Sequence, residues 1–146
     1  DTRFPLELPL GKTDYFQTLS IDLDPGISYD LILDFDLEKS IQVTNPNPLT
    51  IDFNPTISAY SGIGRVDLTG STSPTSVRPV VYAINAGDSI STHVNSSGSF
   101  LFRLEPGTYD IFIDPKDPKY NTDTIQNVLI ELGKAKALDR ITLTRK

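Results

Sequence analysis

The stretch Tyr29-Asp30-Leu31-Ile32-Leu33-Asp34-Phe35-Asp36-Leu37 carries the clearest structural pattern in the chain. Side chains of an extended backbone point alternately to opposite faces. Tyr29, Leu31, Leu33, Phe35 and Leu37 therefore share one face, and Asp30, Ile32, Asp34 and Asp36 the other. That alternation predicts a β-strand with its apolar row turned inward. Upstream, Leu19, Ile21 and Leu23 alternate with Ser20, Asp22 and Asp24, predicting a second strand. Asp24-Pro25-Gly26 separates the two: proline presets φ and glycine accepts a positive one.

The same reading extends in both directions. Phe4, Leu6, Leu8 and Leu10 share a face, with Pro5 and Pro9 on the other, which predicts an edge strand because proline cannot donate to a ladder. Ile41 and Val43 begin a short strand ended by Asn45-Pro46-Asn47-Pro48; Leu49, Ile51 and Phe53 mark the next, and 57–60 another. At Ser61-Gly62-Ile63-Gly64 the texture changes, and a module boundary is expected there. Beyond it, strands are predicted over 65–68, 79–85, 89–95, 100–104, 108–114, 125–132 and 138–144, close to the spacing typical of sandwiches. The Ser-, Thr- and Gly-rich segment 69–76 reads as an exposed loop. Candidate core positions there are Val80, Tyr82, Ile84, Phe100, Phe102, Leu104, Tyr109, Ile111, Ile113, Val128, Ile130, Leu132, Ile141 and Leu143. No helix is expected. The fold class is all-β, with two small β-sandwich modules of Ig-like or transthyretin-like type. Residues 1–61 form a partial sandwich and 62–146 a seven-stranded one.

Composition narrows the function. The 146 residues carry 38% hydrophobic and 22% charged side chains, enough to pack a core. The net charge of -6 repels phosphate backbones, and no cluster of Lys and Arg offsets it, which argues against a nucleic-acid partner. It equally disfavours adsorption onto anionic lipid. There is no cysteine, so disulfides and thiolate chemistry are excluded within this sequence. No apolar run reaches the ~20 residues that span a bilayer. Membrane attachment is expected only through a lipid anchor upstream of Asp1.

Residues 62–145 resemble the carboxypeptidase regulatory-like (transthyretin-like) domain. Gly64-Arg65-Val66, Val80-Val81-Tyr82-Ala83 and Ser97-Gly98-Ser99-Phe100 carry the resemblance. Leu104-Glu105-Pro106-Gly107-Thr108-Tyr109-Asp110-Ile111 and Leu138-Asp139-Arg140-Ile141-Thr142-Leu143 complete it. Ser97-Gly98 and Pro106-Gly107 each suit a hairpin turn. The first module resembles the C-terminal part of an uncharacterised domain family of bacterial surface lipoproteins, through Pro25-Gly26, 29–36, Lys39-Ser40-Ile41 and Asn54-Pro55. Its N-terminal portion is missing from the match, and a partial sandwich leaves open edges that invite pairing. These resemblances imply an accessory, extracytoplasmic role in the periplasm or on the outer-membrane surface of a bacterium.

Asp34 and Asp36, or Asp22 and Asp24, could present a carboxylate pair of the kind glycosidases use, and equally a solvated sheet face. Asp114, Asp117, Asn121 and Asp123 share one loop whose oxygens could hold calcium. Asp-Pro turn chemistry at Asp114-Pro115 and Asp117-Pro118 explains the same residues. His93, the sole histidine, lacks the Gly-x-Ser-x-Gly elbow of a hydrolase triad. Tyr15, Phe16, Tyr60, Tyr82 and Tyr120 could stack on sugars or pack the fold. Tyr120, between Lys119 and Asn121, is the one expected at the surface as a ligand-binding residue. Asn95-Ser96-Ser97 matches a glycosylation triplet but reads better as a turn. The expected function is a non-catalytic cell-surface interaction or structural module, with a protein or glycan partner. A carbohydrate-binding module and an accessory fragment of a peptidase or glycosidase are the alternatives. No catalytic residues and no resident cofactor are expected.

Overall fold

The computed structural model describes Leu8 and residues 14–146. The edge strand expected over 4–10 lies, Leu8 apart, outside the described residues. The chain divides into two compact units, Asp1–Gly62 and Ile63–Lys146. Strands dominate both.

Unit 1 contains β1 (Leu31–Phe35), a single helical turn α1 (Leu37–Ser40), β2 (Ile41–Pro46), β3 (Leu49–Phe53) and β4 (Ile57–Ser61). β1 pairs antiparallel with β4, from Leu31 opposite Ser61 to Phe35 opposite Ile57. β2 and β3 form a hairpin around Asn47-Pro48. These are two separate two-stranded sheets, so each strand keeps one edge without a ladder among the described residues. The strand expected over 19–23 does not form; residues 14–24 have no regular structure. Its alternation is real, but among the described residues no strand pairs with it, and an unpaired strand has no stability of its own.

The helical turn was not expected, and its cause is local. The Asp36 side chain accepts from the Lys39 N–H at 3.0 Å, which caps α1. Ser40 then ties the turn to the chain ahead of β4. Its hydroxyl oxygen accepts from the Thr56 N–H at 2.8 Å and its hydroxyl donates to the Asp36 carbonyl. The Asp36 N–H donates to the Thr56 carbonyl at 3.0 Å, and the Asn54 N–H to the Ser40 carbonyl at 2.8 Å. In unit 1 the buried described residues are Asp36, Ser40 and Pro55. Among the described residues, the most buried part of this unit is thus a knot of hydrogen bonds. Ser40→Ala leaves the Thr56 N–H and one Asp36 carbonyl bond unmade in a buried place, at a cost of about 1–3 kcal/mol. Urea unfolding followed on unit 1 should show a lower midpoint and a loss of unfolding free energy of that size, with the unit 2 transition unmoved.

Unit 2 is a sandwich. One sheet has the order β10 (Asp123–Ile130), β9 (Gly107–Asp114), β6 (Val80–Asn85), β7 (Asp88–His93), all antiparallel. The other is built on β5 (Val66–Ser73), flanked on one side by antiparallel β8 (Ser99–Leu104). On its other side lie the two-residue parallel strands β11 (Lys136–Ala137) and β12 (Ile141–Thr142). The core between the sheets joins Leu68, Phe100, Phe102 and Leu104 to Val81, Ala83, Ile111, Ile113, Val128 and Ile130. Tyr120, Ile141 and Leu143 belong to the same cluster. Each such side chain contributes on the order of 1.5–3 kcal/mol by leaving water.

Three expectations for this unit are corrected. The segment 69–76 is not a loop: β5 runs on to Ser73, with Thr72 buried. Small polar residues suit it because the Phe100 ring lies over Gly70, where a Cβ would come within 2.3 Å of the ring. The closing strand is two short pieces, so the sheet count exceeds seven strands. Four positions separate Ala137 from Ile141, whereas three separate their partners Thr69 and Thr72, and the extra residue breaks the ladder. Leu132 lies beyond β10 and is exposed rather than core.

Candidate functional site

At one end of the unit 2 sandwich, β5 begins, β6 turns into β7, and β8 turns into β9. The β6–β7 turn has Ala86 at φ 49° and Gly87 at φ 87°. Both central residues are left-handed, the geometry that matches the twist of a hairpin. Between these turns lies a cleft of about 400 Å³. Buried Ala83 and Leu104, with half-buried Ile90, give it an apolar floor. Arg65, Asn85, Asp88, Glu105 and Tyr109 line it as well.

The polar residues are held in place. The Arg65 guanidinium donates to the Glu105 carboxylate at 2.7 Å, with 19% of the arginine side chain exposed. The Tyr109 hydroxyl donates to the Glu105 carbonyl at 3.1 Å, which fixes the ring beside the turn. The Asn85 NH2 donates to the Thr108 carbonyl at 2.9 Å, joining the two hairpins. Asp88 accepts from the Ser89 N–H at 2.7 Å. Burial, and then the Glu105 carboxylate, push the Tyr109 phenol above its ordinary value of 10.0, against the opposing pull of Arg65. The fold therefore favours the neutral phenol. That contribution to stability is complete at neutral pH and is lost as pH rises past the ordinary tyrosine range.

No protein-family model matches the chain, and no curated protein does. The solved structures that resemble it include two mutant type II cohesin–X-dockerin complexes from Acetivibrio cellulolyticus. One is an N-terminal and the other a C-terminal interface mutant. Each matched chain is 20% identical, over 55% of this chain and 58% of its own length, with TM-scores of 0.43 and 0.42. This chain thus spans less than two thirds of either.

The residues singled out in the sequence fall elsewhere. Tyr120 is not at the surface: it is 8% exposed and joins the core cluster, with the Arg145 guanidinium 5.7 Å from its ring centroid. A ring buried to that degree has no face left for a ligand from solvent. The carboxylates of the loop in which calcium was expected each bond to their own neighbours in the chain. Asp114 accepts from the Lys116 N–H at 2.9 Å and pairs with its ammonium at 3.2 Å. Asp117 accepts from the Lys119 N–H at 2.9 Å, and Asp123 from the Thr124 N–H at 2.8 Å. The first two of these bonds shape turns, and the third lies at the start of β10. Among the described residues no three His, Cys, Asp or Glu side chains come together as a metal site. Asp36 caps a helix instead of sharing a solvated face with Asp34. His93 ends β7, exposed and opposite Val80. Asn95 is a turn residue, its side chain accepting from the Ser97 and Ser99 N–H groups at 3.0 Å each. Among the described residues, no helix is long and apolar enough to cross a membrane.

Arg65 and Tyr109 were missed as site residues because both look structural in the sequence. Arg65 opens a strand, and Tyr109 heads an apolar row. The usable signal was their position: Arg65 opens the first strand of the module and Tyr109 follows the Pro106-Gly107 turn.

A second exposed feature lies in unit 1. Leu31, Leu33, Phe35 and Leu37, the row expected to face a core, are 58%, 66%, 40% and 43% exposed. Val43, at 60%, adds a further exposed apolar side chain from the hairpin.

Proposed function

We propose that the chain is a non-catalytic interaction module of a bacterial cell-surface protein, and that unit 1 receives a segment of a partner protein. One observation carries this reading: β1 exposes its whole apolar row, while unit 1 buries no large apolar side chain among the described residues. About 60 residues seldom bury enough surface to stand alone. An edge strand with an exposed apolar face is the template on which a further strand adds, its backbone bonds supplying affinity and its side chains selectivity. The resemblance of 62–145 to the carboxypeptidase regulatory-like domain favours an accessory role for unit 2. The resemblance of the first module to surface lipoproteins favours an extracytoplasmic setting.

A photo-crosslinking residue at Leu33, in the native cell, tests the reading. A discrete protein adduct is expected from position 33, none from the exposed Leu129 of unit 2, and loss of the adduct when Leu31→Lys is added. Equal labelling from both positions, or none from Leu33, would contradict it. So would hydrolysis of a peptide or glycan that Asp34→Asn or His93→Ala abolishes.

A further inference from the structure

The cleft at the end of unit 2 is lined by residues of that unit and does not depend on the partner-protein reading of unit 1. Its volume of about 400 Å³ falls within the range of small-ligand sites, roughly 300–1,000 Å³. Its floor is hydrocarbon, from Ala83, Ile90 and Leu104, with the Tyr109 ring beside it. A ring of this kind suits a ligand that has one apolar face and polar edges.

Four of the polar residues carry planar groups, a guanidinium, an amide and two carboxylates, and Ser89 adds a hydroxyl. Arginine brings donors only, ionised carboxylates bring acceptors only, and the Asn85 carbonyl is a further acceptor. Neighbouring hydroxyls, which each donate and accept, are the chemistry that meets such a set. Charge selects further. Glu105 offsets Arg65, and Asp88 adds a negative charge, so a ligand anion would meet net repulsion. Hydrogen bonds within and between the two hairpins fix the rim before any ligand arrives, which lowers the ordering cost of binding.

We infer that this cleft binds a neutral saccharide unit, seated on the Tyr109 ring and hydrogen-bonded through Arg65, Asn85, Asp88 and Glu105. Proton–nitrogen NMR titration of the whole chain tests this. The probes are maltotriose, cellotriose, xylotriose, mannotriose and chitotriose, with galacturonate and lysine as charged controls. Saturable shifts at Asn85, Asp88 and Tyr109 are expected with at least one neutral probe. The affinity should fall at least tenfold in Tyr109→Leu and in Asp88→Ala. Asp88 is exposed at the start of β7, so a spectrum unchanged away from the cleft keeps that variant informative. Absence of saturation with all five neutral probes would overturn the inference. So would affinity unchanged in Asp88→Ala, or binding confined to galacturonate or lysine.

Discussion

Phe102→Ala is expected to destabilise unit 2 by about 3–5 kcal/mol, enough to unfold much of it at 37 °C. Phe102 is 4% exposed and lies on β8 directly opposite Leu68, which is fully buried. Its ring meets that of Phe100 edge-on, with centroids 6.0 Å apart and planes at 71°. Alanine forfeits the transfer of the ring from water, the edge-to-face contact and the packing around the void. A thermal melt should show a drop of roughly 12 °C or more for a unit of this size. Phe102→Leu, which keeps most of the volume, should lose far less. A shift of only a few degrees for the alanine variant would mean that the sheets do not pack through this ring.

Gly98→Ala should be nearly as damaging, although it adds one methyl group. Gly98 sits at φ +85°, and a Cβ there would lie 2.8 Å from the Thr72 carbonyl oxygen and 2.9 Å from the Thr75 Cγ2. The backbone cannot yield without breaking the Thr72 N–H bond to the Gly98 carbonyl at 2.7 Å. Left-handed strain of about 1–2 kcal/mol adds to an overpacking cost of about 1–3 kcal/mol. Equilibrium unfolding should show the sum. Gly87→Ala is the control: its φ is +87° but nothing lies within 4 Å, so only the strain should appear. Equal losses in the two variants would remove the contact with Thr72 from the explanation.

The all-β class was legible because alternation over Tyr29 to Leu37 has no other simple reading. Which face of a strand turns inward was less legible. In β6 the stretch Val80-Val81-Tyr82-Ala83-Ile84 is apolar on both rows, so the pattern does not choose. Packing against Ile111 and Ile113 buries Val81 and Ala83 and leaves Tyr82 and Ile84 half-covered. The apolar row of β1 failed for a different reason: alternation shows what a strand wants to bury, not whether anything lies there. Small polar residues in 69–73 read as a loop because their role depends on Phe100, thirty positions away. The α1 cap was present as Asp36 followed by Lys39-Ser40, but one turn is too short to leave a periodic trace.

Sites were less legible than the fold. Asp114, Asp117 and Asp123 lie close in sequence, yet each bonds to the backbone just after it, so proximity along the chain did not become convergence in space. Tyr120 looked like a surface residue between Lys119 and Asn121. The bridge from Tyr120 to Arg145 holds it against the end of the chain instead. Arg65 and Tyr109 are forty-four positions apart in sequence and meet only because β5 and β9 begin at the same end of the sandwich.

The most direct test of the central claim, that unit 2 carries its own apolar core while unit 1 awaits cover, is native-state hydrogen exchange by mass spectrometry on the dilute, monomeric chain. Amides of β1 to β4 should exchange through low-energy local opening, while those of β5, β6 and β9 should exchange only with global unfolding of unit 2. Protection of β1 and β4 equal to that of β6 and β9 would show that unit 1 is complete without a partner, and would contradict the account.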